Sequence, residues 1–213
     1  MSVLCKDMII RRSALIICCA FYFISLYIEL NFLFTDSYYR DVFAGANTDI
    51  HTLLSRIHAT NWLNYLIAPI YVLVLSSSFA IALYIVFTLT NHKVLFKNCF
   101  FAGIVGQLVF AINYFITVLL KYIGIVAFNS KTADDVFYYQ SIAPLIKNLP
   151  EWCLFACERV SVIEAIYISI VSYTVYRIFN ISLIKSFGIV FLIELFALSF
   201  ISIIQICHYV AVL

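Results

Sequence analysis

Glu29, Gln107, Asn113, Lys121, Glu158, Arg159, Glu164 and Glu194 interrupt otherwise apolar stretches of the sequence. An ionisable group in hydrocarbon is costly unless it is paired, neutralised or wetted, so these are the positions at which ion or proton handling, or interhelical bonding, is expected. Placed by a rise of about 1.5 Å per helical residue, Glu29, Lys121, Glu158, Arg159 and Glu164 fall at one level near the outer leaflet. Three acids and two bases at one level are expected to pair with one another; the alternative is a substrate or ion site opening outward. Glu194 differs, because it falls near mid-membrane, where no Lys or Arg is expected. It must be protonated, face a wet cavity, or bond to Gln107, Asn113, Tyr114 or the run Ser76, Ser77 and Ser78. The two readings are a neutral carboxyl acting as interhelical glue and a proton-coupled or ion-binding carboxylate.

The elements that must position these groups follow from composition. Of the 213 residues, 65% are hydrophobic and 11% charged, against roughly half and a quarter in soluble domains. A hydrocarbon core about 30 Å thick needs roughly 20 apolar residues per helix. Five stretches meet this, about 13–34, 65–90, 98–128, 155–179 and 183–210, with loops at about 35–64 and 129–154. The expected fold is all-α, a polytopic transmembrane helical bundle forming a single integral membrane domain over 1–213. The first stretch is expected to be a retained anchor, since it carries Phe21, Tyr22, Phe23 and Tyr27 and no small-residue cleavage pattern.

Cytoplasmic loops retain Lys and Arg. With the N-terminus inside, the cytoplasmic segments hold Lys6, Arg11, Arg12, Lys93, Lys97, Arg177 and Lys185 against Asp7 alone, whereas the two long loops, twice as long in total, hold Arg40, Arg56, Lys131 and Lys147 and collect Asp36, Asp41, Asp49, Asp134, Asp135 and Glu151. The expectation is N-terminus in, C-terminus out. In the first long loop, Thr48 or Asp49 can cap a short helix with Ile50, Leu53, Leu54 and Ile57 on one face. In the second, Thr132 and Asp135 make a cap-like start ahead of the run 136–139. Trp62 and Trp152 stand where spans re-enter, as interfacial anchors do. Small and hydroxyl residues suggest close helix seams along Gly103, Gln107, Ala111, Tyr114, Thr117 and Lys121, and along Glu158, Ser161, Ala165, Ser169, Ser172 and Tyr176.

The segment 84–91 echoes 173–180: Tyr84, Val86 and Asn91 match Tyr173, Val175 and Asn180. Each is followed by a basic turn, Leu95-Phe96-Lys97 or Leu183-Ile184-Lys185, and then by a span opening with Phe and Gly. Spans two and three, and four and five, would then form two parallel hairpins. This layout, with spans opening as Phe-Lys-Asn-Cys-Phe (96–100) and Ile-Lys-Ser-Phe-Gly (184–188), resembles the Yip family of membrane proteins and its bacterial relatives. The resemblance covers most of the chain in layout and implies a non-enzymatic membrane protein. About twelve residues precede the first span, so the cytosolic region with which family members meet small GTPases is not carried over, and the long outer loops depart from the family outline.

Other chemistry is not signalled. The seven cysteines are scattered, His51 and His58 lie two turns apart, and no phosphate loop, HExxH or GxSxG occurs. The expectation is a non-catalytic scaffold or accessory subunit of a membrane complex, without metal or cofactor. Its partners would be the lipid bilayer and other membrane proteins or itself, and not nucleic acid. A bacterial cytoplasmic membrane is favoured over a eukaryotic endomembrane. The alternative is a small transporter or channel component using Glu194 and the outer charged cluster.

Overall fold

The computed structural model describes residues 3–43, 50–126, 128, 140–146, 157–158 and 160–212, with backbone alone for 3–10, 144 and 205–212. The protein is all-α. Its helices are α1 (Val3–Ile28), continued by a π-helical segment Glu29–Leu33, then α2 (Asp36–Val42), α3 (Ile50–Thr60), α4 (Trp62–Leu89), α5 (Phe96–Tyr122), α6 (Val162–Phe179) and α7 (Leu183–Val212). Among the described residues five helical segments are long and apolar enough to cross a membrane: Arg11–Leu33, Trp62–Leu89, Phe96–Tyr122, Val162–Phe179 and Leu183–Ile204.

Helix α1 starts at Val3 and α4 at Trp62, earlier than the apolar stretches expected at about 13 and 65, and two other boundaries differ from the sequence expectation for a capping reason. Expected to run to 128, α5 stops at Tyr122 because Gly124 adopts φ +75°. The N–H of Ile125 bonds to the carbonyl of Leu120 and that of Gly124 to Lys121, closing a Schellman end that continuation would break. Expected to begin at 155, α6 begins at Val162, because the Ser161 side chain accepts from the backbone N–H of Glu164 at 3.2 Å. Ser161-Val-Ile-Glu164 has the spacing of a capping box. Its 18 residues span about 27 Å, a few ångströms short of the hydrocarbon core and within the length range of crossing helices.

The long loop before α4 holds two helices. Thr35 caps the unexpected α2 by accepting from the Tyr38 N–H at 3.4 Å. The expected α3 is present, and Ile50, Leu53, Leu54 and Ile57 form its less exposed face; its expected caps Thr48 and Asp49 lie outside the described residues. So do Thr132, Asp135, the run 136–139 and Trp152. Trp62 opens α4 with most of its surface exposed, and α4 runs through Pro69.

The chain divides into two compact units, residues 1–74 with 111–136, and residues 75–110 with 137–213. In the first, aromatic rings hold α1 to its neighbours: Phe21 meets Phe115 at 5.4 Å between centroids, Tyr22 meets Tyr114 at 5.8 Å, and Phe32 meets Tyr122 at 5.3 Å. Tilted and edge-on rings at these separations add favourable quadrupole contacts to the area they bury. In the second, Leu83, Phe87, Val171, Val175 and Val190 are completely buried, and Phe87 packs on Phe179 at 4.4 Å. Asn91 and Asn180, the matched ends of the internal echo, both adopt left-handed backbone at φ 58° and 52° and stop their helices. Asparagine tolerates that region better than most residues.

The expected α5 seam is a buried face: Gly103, Gln107, Ala111, Thr117 and Lys121 are all buried. The expected α6 seam is corrected in part. Ser172 is buried and Ser161 and Tyr176 are half-buried, but Ala165 and Ser169 are exposed, and the buried face carries Tyr167, Val171, Ser172 and Val175. The Ser169 hydroxyl donates to the Ala165 carbonyl one turn back at 2.7 Å, so it needs no second helix. Between α6 and α7 the close contact is instead Ser186, whose hydroxyl donates to the Ser172 carbonyl at 2.5 Å.

Gly103 fixes the approach of α4 to α5, since a Cβ there would lie 2.5 Å from the Ser76 carbonyl oxygen. Gly103→Val must therefore push backbone against backbone and is expected to cost about 1–3 kcal/mol, as overpacked cores do. Gly188→Ala, whose added Cβ meets nothing within 4 Å, should leave the thermal unfolding midpoint in detergent unchanged or slightly raised. Equal midpoints for the two variants would refute this account of the seam.

Candidate functional site

Tyr167 of α6 is the point on which the second unit converges. Its ring is 4% exposed, stacks on Phe110 of α5 at 4.7 Å and meets Phe79 of α4 edge-on at 6.4 Å. Gly106 of α5 makes room for it, since a Cβ there would come within 2.5 Å of the ring. The hydroxyl projects beyond this apolar socket and donates to Oε1 of Glu194 on α7. Four helices thus meet at one side chain, whose body satisfies the apolar packing and whose tip supplies a hydrogen-bond donor.

Glu194 lies eleven residues beyond Leu183, the first residue of α7, about 17 Å along the helix. Its partner Tyr167 is not among the residues expected from sequence. Tyr114, which is, donates instead to Oε2 of Glu29 in the first unit. Glu164 stands one turn before Tyr167 on α6 and is an electrostatic neighbour of the tyrosine hydroxyl. The second unit therefore carries the series Glu164, Tyr167, Glu194. Gln107 is buried in this unit, with its Oε1 lacking a hydrogen-bond partner among the described residues.

The first unit has its own buried ionisable groups. Glu29 is 8% exposed and opens the π-helical segment, where the Phe34 N–H reaches back to the Glu29 carbonyl at 2.8 Å. π-Turns inside helices are rare and concentrate at functional sites. Lys121 is 4% exposed, and its ammonium lies 5.9 Å from the centre of the Phe128 ring, within cation–π reach. Phe128 in turn packs against Phe34 and Tyr38 at 5.5 and 5.0 Å. Burial pushes the Tyr39 hydroxyl above its usual titration range, with Tyr38 and the Glu29 charge adding to the effect. Asn113 is buried in the same unit.

Of the groups expected at one outer level, Glu29 and Lys121 belong to the first unit and Glu158 and Glu164 to the second. Arg159 lies outside the described residues. Glu158 precedes the cap at Ser161, so it stands outside α6 rather than within the fourth span. Cys18, Cys19, Cys99 and Cys157 are free thiols, and among the described residues no three His, Cys, Asp or Glu side chains group as metal ligands. No family model, curated protein or solved structure matches this chain.

Sequence reasoning missed the tyrosines as partners. The available signal was a tyrosine deep in an apolar stretch, whose hydroxyl must find an acceptor, with a glutamate in another span to provide one. Tyr167→Phe keeps the ring and removes the donor, and should cost about 0.6 kcal/mol and no more than about 1.7, the average and the maximum for interhelical hydrogen bonds in membranes. Glu194→Gln retains an acceptor oxygen and should cost less. In a double-mutant cycle of Tyr167→Phe with Glu194→Ala, which removes the acceptor, read by reversible unfolding in detergent, the two substitutions should be non-additive; strict additivity would show that the hydroxyl and carboxyl do not interact.

Proposed function

We propose that this chain is a non-catalytic polytopic membrane protein, a scaffold or accessory subunit of a membrane complex, Yip-like in layout. The supporting observation is the use made of the carboxyls within the spans. Glu29 and Glu194 each accept a hydrogen bond from a tyrosine of another helix, which is the work of interhelical glue. The surface of α7 complements it: Leu192, Phe196, Phe200 and Ile203 are each more than half exposed and recur at helical spacing. In this reading that stripe meets lipid, a different membrane protein or a second copy. Enzymatic activity, a cofactor and nucleic-acid binding have no part in it.

The distribution of Lys and Arg supports an N-terminus in the cytoplasm and a C-terminus outside, in a bacterial cytoplasmic membrane rather than a eukaryotic endomembrane. Two parallel hairpins, α4 with α5 and α6 with α7, complete this reading; it is supported by the sequence echo and by the left-handed asparagines that end α4 and α6.

A second reading, a small transporter or channel component, is favoured by the succession of protonatable groups Glu164, Tyr167 and Glu194. The two readings diverge in one experiment. Purified in mild detergent, the chain should co-elute with a membrane protein or as an oligomer, and reconstituted alone into liposomes it should support no solute or proton flux. Robust flux from the purified chain, abolished by Glu194→Gln without loss of folding, would replace the scaffold reading with the transport one.

A further inference from the structure

Where the π-helical segment ends and α4 begins, the first unit forms a cleft of about 420 Å³ whose walls include Asn31, Phe34, Asp36, His58, Asn61 and Tyr65. We propose that this cleft binds an organic ammonium group, either the headgroup of an ethanolamine or choline phospholipid or a free amine of the same chemistry. The assignment is independent of the scaffold reading.

The lining is rich in acceptors and holds no Lys or Arg. Asp36 accepts from or shares a proton with Nε2 of His58 at 2.9 Å through Oδ1 alone, and its side chain is 60% exposed, which leaves the second oxygen open to a ligand. Asn31 donates its amide nitrogen to the Tyr27 carbonyl at 2.8 Å, so its oxygen is the atom left for a ligand. Asn61 adds an amide, and Phe34 and Tyr65 add ring faces. A carboxylate beside aromatic faces recognises an ammonium by charge and by the ring quadrupole together. A phosphate or carboxylate ligand would require Arg or Lys donors that these walls lack.

The site is held in place. Asp36 lies in the first turn of α2 and His58 in the last turn of α3, so their contact ties two helices across the cleft. Phe34 is backed by Tyr39 at 6.0 Å and Phe128 at 5.5 Å, which fixes the ring that faces the ligand. The cleft also lies beside the end of one apolar span at Leu33 and the start of the next at Trp62, where a helix that crosses a membrane meets the headgroup layer.

Trp62, next to Asn61, is a built-in reporter once Trp152→Phe has removed the other tryptophan. The Trp152→Phe chain is placed in nanodiscs of phosphatidylglycerol, which has no ammonium, and titrated with tetramethylammonium or ethanolamine chloride against sodium chloride of equal strength. Trp62 emission is expected to change saturably, with affinity weakened about tenfold or more by Asp36→Asn, the loss of one charge-assisted contact. Tyr65→Leu, which leaves Asp36 and His58 in place, should weaken tetramethylammonium more than ethanolamine. If a lipid headgroup is the natural occupant, phosphatidylethanolamine discs should compete and depress the response to free amine; an equal response in both discs assigns the site to a free amine. No saturable change with either amine and no difference between the two discs would overturn the proposal, as would undiminished binding in both the Asp36→Asn and Tyr65→Leu variants.

Discussion

A carboxyl group set eleven residues into an apolar helix cannot be left to water, and the hydrogen bond from Tyr167 to Glu194 is how this protein accommodates it. The bond constrains far more than two atoms. For the hydroxyl to reach α7, the ring must lie flat in a socket shared by α4 and α5, and that socket exists only because position 106 has no side chain. Phe110 and Phe79 then fix the ring, and the buried aliphatic residues Leu83, Val171 and Val175 belong to the same core. Where lipid surrounds a bundle, apolar burial gives little preference for one helix partner over another. A single satisfied donor and acceptor, with the glycine that admits it, discriminates between arrangements that packing alone would leave nearly equal.

The hydroxyls of serine and threonine serve differently. Ser25, Thr88, Ser169, Thr174 and Ser199 each donate to a carbonyl four residues back on their own helix. Such back-bonding satisfies the group locally and asks nothing of a neighbour. Ser186 differs from these five, because its hydroxyl crosses from α7 to the Ser172 carbonyl of α6. Side-chain reach explains the division. A short hydroxyl finds its own helix first, whereas a tyrosine hydroxyl stands too far from its own backbone and must seek another element.

This division also marks what was legible in the sequence. The five spans follow from hydropathy and length, and the amphipathic α3 from four apolar positions at helical spacing. The buried face of α5 was legible because small residues there coincide with the need for close approach. The same rule misplaced the buried face of α6, since the self-satisfied Ser169 carries no information about a partner. The start of α6 was written in Ser161 and Glu164, but the apolar run before it masked the cap. The pairing of Glu194 with Tyr167 was not legible as a pair: sequence depth narrows the level of a group but not which neighbouring helix faces it.

The acids of the first unit show how burial selects the partner. Glu29, nearly inaccessible, takes a phenol, a donor that remains neutral and so adds no second charge to hydrocarbon. Asp36, largely exposed, takes an imidazole at 2.9 Å in a position that water also reaches. Exchanging the two partners would be unfavourable in both places. A buried imidazole beside Glu29 would have to bring its charge into the bundle or forgo it, while a phenol beside Asp36 would compete poorly with water for an ionised carboxylate. Of these two pairs the exposed one keeps a carboxylate oxygen open to something outside the chain, so the mouth of the unit is where a ligand can be met without desolvating a charge, and the buried pair is where helices are held together.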